Sequence, residues 1–269
     1  MQLELHHPLD GFYRGTRFDR SGVFASLRLG GTEFCGPWFE RYDPFLHDAV
    51  QGPAEEFSLY PVGELWLKPG VGLLQPDGQP YDRFKLYETV NPGRWDVDGL
   101  HFRHRLEGYY DYTKEIVLTE GPGFEIRHAF QALIPFAGDV YNHNFFTLGK
   151  MEVGPSRQID FPFTPEGTWR SVYDSVGFTA GGIRFSRQLR AGESVYSGDI
   201  HAAGQDGMPY DMTLREGALG VHIRGDVPVF KTVFWANHRV ACLEPYIRLA
   251  LDVGQTFRWT LTYTLLCDK

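Results

Sequence analysis

The sequence predicts a single all-β domain. Three observations carry that expectation: apolar and polar side chains that alternate with a period of two, 31 glycines and 17 prolines to punctuate short strands, and no long amphipathic helical window with caps. A length of 269 residues suits one large sandwich or barrel spanning 1–269.

Along the chain, alternating patterns bounded by Gly, Pro or Asp mark strands at residues 23–29, 101–107 and 110–118. Phe124, Ile126, His128, Phe130, Ala132 and Ile134 then alternate up to a turn-prone stretch at 135–138. Residues 144–152, 182–188, 219–223 and 229–235 follow as further strands. The clearest pattern comes last: Phe257, Trp259, Leu261, Tyr263 and Leu265 point one way, with Arg258, Thr260, Thr262 and Thr264 between them. Residues 41–57 have mixed character, and Pro44, Gly52 and Pro53 break any helix there. The segment reads as a long loop holding His47, Glu55 and Glu56, of the kind that is usually functional or mobile.

Composition excludes several classes. A net charge of −8 disfavours nucleic acid and anionic membrane as partners, because both need a basic surface. The N-terminal stretch has neither a basic region nor a continuous apolar run, and no later stretch approaches the ~20 apolar residues of a membrane span. A cytoplasmic location, as a monomer or homodimer, is expected. Cys35, Cys242 and Cys267 are odd in number and lack metal-ligand spacing, so they read as free thiols. His101 and His104 would face opposite sides of a strand, which makes joint metal coordination awkward; they read as surface polar residues, and no metal is expected. Aromatics at 15% fit a thick β core and also a wall on which sugar rings stack.

Two short motifs carry chemistry. Tyr141-Asn142-His143-Asn144-Phe145-Phe146-Thr147-Leu148 puts His143 and Phe145 on one face of a strand. Cys242-Leu243-Glu244-Pro245-Tyr246 puts a carboxylate beside a proline that cannot donate to a β ladder, which places Glu244 at a strand end or rim. A histidine in an apolar strand is, taken alone, more often a satisfied core residue, and a carboxylate at a strand end more often faces water.

At these residues the chain resembles the aldose 1-epimerase, or galactose mutarotase-like, superfamily, most strongly over residues 102–269. A looser match is Cys35-Gly36-Pro37-Trp38-Phe39 followed by His47, which is similar to elements of the hexose-phosphate epimerase branch. The resemblance implies a β-supersandwich of large twisted antiparallel sheets with a sugar on its concave face, acid–base chemistry, and no metal or cofactor. It makes Glu244 the base that takes the anomeric proton and His143 the acid that protonates the ring oxygen. A carboxylate and a histidine near its ordinary pKa of about 6.5 would suit those roles.

Arg17, His47, Glu55, Glu56, Lys231 and Trp235 are the candidate substrate-binding residues. Lys231 and Trp235 share one face of the strand that leads to Glu244. The expected partner is a small carbohydrate. Because Glu55 and Glu56 would repel a phosphate, that sugar is expected to be unphosphorylated unless Arg17, Lys68 or Lys231 supplies compensating charge. Asp199, Asp206 and Asp211 are alternatives for the superfamily's middle aspartate. Two other readings stand beside mutarotation: a glycoside hydrolase or lyase pairing Glu244 with Glu55 or Glu56, and a non-catalytic sugar-binding protein.

Overall fold

Alternating side chains need two different surroundings, and the chain supplies them by stacking two antiparallel sheets. The computed structural model describes residues 1–39, 41–149, 152–170, 174–205 and 207–267. Ten strands form the larger sheet, in the order Val176–Thr179, Gly182–Phe185, Arg157–Asp160, Asp211–Glu216, Leu219–Gly225, Thr256–Cys267, Gly123–Ala132, Tyr110–Leu118, His101–Leu106 and Arg94–Asp98. A five-stranded sheet, in the order Ser194–Tyr196, Lys231–Asn237, Ala241–Leu251, Phe136–Phe145 and Gly52–Phe57, packs against it. No helix of the described residues is long and apolar enough to cross a membrane.

The core lies between the sheets. Phe57 of the smaller sheet meets Tyr112, Phe130 and Trp259 of the larger one, with ring centroids 5.4, 5.9 and 6.4 Å apart. All four side chains are buried, so they gain both apolar burial and aromatic contact geometry. The opposite face of the smaller sheet carries the other half of each alternating pattern, and the candidate site lies there.

Most expected strands are present, two of them with the boundaries read from sequence, Val23–Leu29 and Tyr110–Leu118. Four expectations need correction. Residues 135–138 are not all turn: Phe136–Phe145 is a strand, so the expected strand at 144–152 begins where the real one ends. Residues 41–57 are not one long loop, because a 3-10 turn at His47–Ala49 leads into the edge strand Gly52–Phe57. Gly52 opens that strand at φ 64°, and a Cβ there would stand 3.0 Å from the Cys35 sulfur and the Phe24 ring. A glycine that looked like a helix breaker is the entry to a strand.

Glu244 is the third correction. It sits inside the strand Ala241–Leu251, not at a strand end or rim. Pro245 is tolerated because the ladder to Phe136–Phe145 runs only as far as the pair Tyr141 and Tyr246. Beyond that point the Asn144 backbone N–H donates to the Cys242 sulfur at 3.1 Å and its side-chain amide donates to the Leu243 carbonyl at 2.8 Å. Side chain and thiol thereby satisfy groups that the proline leaves without a regular ladder. His104 differs too: it is buried, hydrogen-bonded to the Pro92 carbonyl at 2.8 Å and to the Tyr110 hydroxyl at 2.8 Å, while His101 is exposed.

Candidate active site

Strand alternation brings the two motifs onto one floor. His143 and Phe145 point to the same side as Glu244 and Tyr246, and Lys231, Val233 and Trp235 come from the next strand. These side chains line a cavity of about 720 Å³, a size suited to a small ligand. Arg17, Trp38, His47, Arg83, Phe84, Arg170, Ser194, Tyr196 and Asp199 complete the wall.

The centre is a buried pair, with His143 Nδ1 3.2 Å from Glu244 Oε1. On the other side of the ring, Arg17 Nη2 lies 2.9 Å from His143 Nε2. A guanidinium can only donate, so Nε2 accepts, and neutral His143 carries its proton on Nδ1, directed at Glu244. Glu56 fixes Arg17 by accepting from its Nε at 2.6 Å, and it also accepts from the Tyr141 hydroxyl at 2.5 Å. The His143 ring is further held by stacking on Phe145, centroids 5.0 Å apart, which in turn stacks on Trp38 at 4.7 Å.

Burial sets the protonation states, and it reverses the expected ones. It pushes the Glu244 carboxyl up to about 8, against the pull of Arg17. His143 is driven down to about 3, by burial first and the Arg17 charge second. At neutral pH the resting site therefore holds a protonated Glu244 and a neutral His143, where the sequence suggested an ionised carboxylate and a readily protonated histidine. Glu56 behaves oppositely: despite its burial, Arg17 and Lys68 hold it well below the usual carboxylate range.

Arg17, His47, Lys231 and Trp235 line the cavity, as expected of ligand-binding residues, but Glu55 and Glu56 do not. Glu55, on the core side of its strand, pairs with Lys114 and accepts from the Asn142 side chain at 2.8 Å. Glu56 projects toward His143 but is engaged by Arg17 and, at 3.6 Å, by Lys68. Neighbouring strand residues point in opposite directions, so the two glutamates cannot act together. The premise that they would repel an anionic sugar does not hold. Of the three aspartates, Asp199 lines the cavity, Asp211 pairs with His222 on the larger sheet, and Asp206 lies outside the described residues.

Sequence reading missed Trp38 as a lining residue although its motif was visible, and Tyr246, two residues beyond Glu244, followed from strand alternation. It had no access to Arg83, Phe84 and Arg170, which come from segments without periodicity.

Among the described residues, the cluster of atoms best able to hold a metal ion is His143, Cys242 and Glu244, with ligand atoms within 4.8 Å of one another. Burial keeps the Cys242 thiol protonated, Glu244 is protonated too, and Arg17 stands beside His143, so this trio favours protons over a cation.

No family model matches the sequence, and no curated protein matches it significantly. Solved structures do match over nearly the whole chain. A proposed aldose 1-epimerase from Escherichia coli K12 superposes with a TM-score of 0.58 at 11% identity, covering 99% of this chain and 100% of its own. A protein from Synechocystis sp. PCC 6803 gives 0.57 at 12% identity, over 93% and 90% of the two chains. A galactose mutarotase-like protein from Lactobacillus casei ATCC 334 gives 0.53 at 11%, over 98% and 100%. The chain is thus an all-β protein with the galactose mutarotase-like fold. At these identities the likeness is one of fold, and the chemistry has to be argued from the residues themselves.

Proposed function

We propose that the protein is a mutarotase, interconverting the anomers of a sugar by opening and reclosing its ring between Glu244 and His143. The observation that carries this reading is the buried cross-strand pair at 3.2 Å on the floor of a small-ligand cavity. Ring opening moves two protons: the anomeric hydroxyl loses one and the ring oxygen gains one. A site that rests with one group protonated and the other neutral matches that inventory.

The resting protonation supports one order for the first half of the cycle. Glu244, carrying the proton, donates it to the ring oxygen. The anomeric hydroxyl inserts between Arg17 and His143, gives its proton to Nε2 and accepts the Arg17 hydrogen bond as charge develops on its oxygen. After rotation about the bond to the aldehyde carbon, closing runs the transfers backward: Glu244 takes the proton of the chain hydroxyl and His143 returns its proton to the carbonyl oxygen, so each group serves the oxygen opposite to the one the resemblance gave it. Hydrolysis by two carboxylates is less well supported: Glu55 faces the core and Glu56 is committed to Arg17 and Lys68.

The test is NMR exchange or polarimetry on freshly dissolved sugars, with kcat/KM followed against pH. Because Glu244 must be protonated to donate, kcat/KM is expected to fall as pH rises through about 8. A rise through that pH would instead make Glu244 the base of the opening step. No acceleration with any sugar would overturn the mutarotase reading itself.

A further inference from the structure

The cavity wall carries more positive than negative charge. Four cationic side chains, Arg17, Arg83, Arg170 and Lys231, face two carboxyl groups, Asp199 and Glu244. Arg17 is committed to Glu56, and Lys231 Nζ lies 3.1 Å from Asp199. Among the described residues no carboxylate pairs with Arg83 or Arg170. Arg83 donates to the Tyr141 hydroxyl at 3.0 Å, and the Arg170 guanidinium lies over the Tyr196 ring, 4.4 Å from its centroid. These are neutral contacts that orient the two groups; the charge acting on Arg83 is that of Glu56, which Arg17 and Lys68 already engage.

Both arginines are held from behind. The segment bearing Arg83 is pinned by the Asp82 backbone N–H, which donates to the Tyr87 hydroxyl at 2.8 Å, and by the ion pair of Lys85 with Asp77. Arg170 is anchored through its backbone N–H, which donates to the Tyr196 carbonyl at 3.0 Å. Tyr141 and Tyr196 lie near the acid–base pair: the Tyr141 ring centroid is 5.0 Å from that of His143, and the strand bearing Tyr196 pairs with the one beside Glu244. Two oriented guanidinium groups without carboxylate partners therefore border the place where a sugar would bind.

We propose that the sugar taken by this cavity carries an anionic group, a carboxylate or a phosphate, held by Arg83 and Arg170. The proposal deepens the reading of the cavity as a sugar site and rests on it. Planar guanidinium forks suit both anions, because each presents paired donors to paired oxygens. A neutral sugar offers these groups, Arg170 exposed and Arg83 half-buried, only neutral acceptors, whereas an anion adds charge-assisted hydrogen bonds.

The experiment compares glucose with glucuronate and glucose 6-phosphate, and galactose with galacturonate, measuring equilibrium binding by calorimetry and anomer exchange by NMR. Wild type is expected to favour at least one charged sugar over its neutral parent by roughly 10- to 100-fold in affinity, the worth of charge-assisted hydrogen bonds. The preference should shrink as salt is raised. In the Arg83→Gln, Arg170→Gln double variant the ratio of charged to neutral affinity should fall toward one. The carboxylate and phosphate arms show which anion the site takes. Equal or better binding of the neutral parents, or a charge preference that survives in the double variant, overturns the proposal while leaving mutarotation intact. Charged sugars that bind through the two arginines without exchanging faster uphold the anionic site and overturn the mutarotase reading instead.

Discussion

Glu244→Gln is expected to lower kcat for anomer exchange by ~10²–10⁴-fold, the usual contribution of a positioned proton donor. Gln keeps the shape of the carboxylic acid and can still accept the hydrogen bond from His143, but it has no titratable proton to deliver to the ring oxygen. His143→Asn is expected to lose activity on a similar scale, because His143 bridges Arg17 and Glu244 and no other side chain among the described residues is seen in contact with both. NMR exchange spectroscopy at several sugar concentrations separates this from weakened binding: kcat falls while KM changes little. Thermal unfolding supplies the control. The folded-state pKa of Glu244 is raised to about 8, so its ionisation favours the unfolded chain, and stability falls as pH climbs from the ordinary carboxylate range through about 8. Glu244→Gln removes that loss, and the variant should be at least as stable as wild type near neutral pH. Less than a tenfold drop in kcat, in a folded protein, would show that the proton passes through another group.

Lys114→Met is expected to destabilise the fold by ~3–5 kcal/mol, the range for breaking a buried ion pair from one side. Lys114 reaches from the larger sheet to Glu55 on the smaller one, donates to the Ser21 carbonyl at 2.8 Å, and lies 3.8 Å from Asp19. Both carboxylates are fully buried, and burial has already driven the Asp19 carboxyl up to about 6. Without the ammonium, Glu55 and Asp19 would face each other with His128 beside them, itself held neutral by burial with a pKa down to about 3. For a domain of this size the loss corresponds to roughly 6–20 °C in Tm. Urea titration measures it, and a Lys114→Met, Glu55→Gln double variant should recover part of it by removing one orphaned charge. A change below about 1 kcal/mol in the single variant would mean that Glu55 takes up a proton at little cost.

The acid–base pair and the buried ionic bridge lie on opposite faces of the smaller sheet. Asn142 holds Glu55 on the core side while His143 meets Glu244 on the cavity side, and Glu55 and Glu56 divide in the same way. Each strand thus supplies one residue to stability and the next to the site. This follows from the two-residue period and explains why the Glu55-Glu56 doublet misled a reading made without knowledge of the faces.

The sequence by itself determined the all-β class and the long strands at 110–118, 123–132 and 256–267, because period-two patterning is a local property of the chain, while the resemblance carried by two compact motifs singled out His143 and Glu244. Lys231 and Trp235 were legible for the same reason: once a strand is recognised, alternation tells which residues share a face. Tertiary structure alone decided the rest. Pro245 suggested a strand end, yet the ladder opens beside it and leaves Glu244 in mid-strand. Glu55 and Glu56 looked like a pair of site carboxylates, but partners 59 residues away for one and 39 residues away for the other draw them apart. The protonation of Glu244 and His143 depends on how completely the segments over the outer face of the smaller sheet exclude water, and the charge of the cavity depends on arginines from segments with no periodic signature. Desolvation and long-range charge pairing are properties of the assembled molecule, and no stretch of sequence carries them on its own.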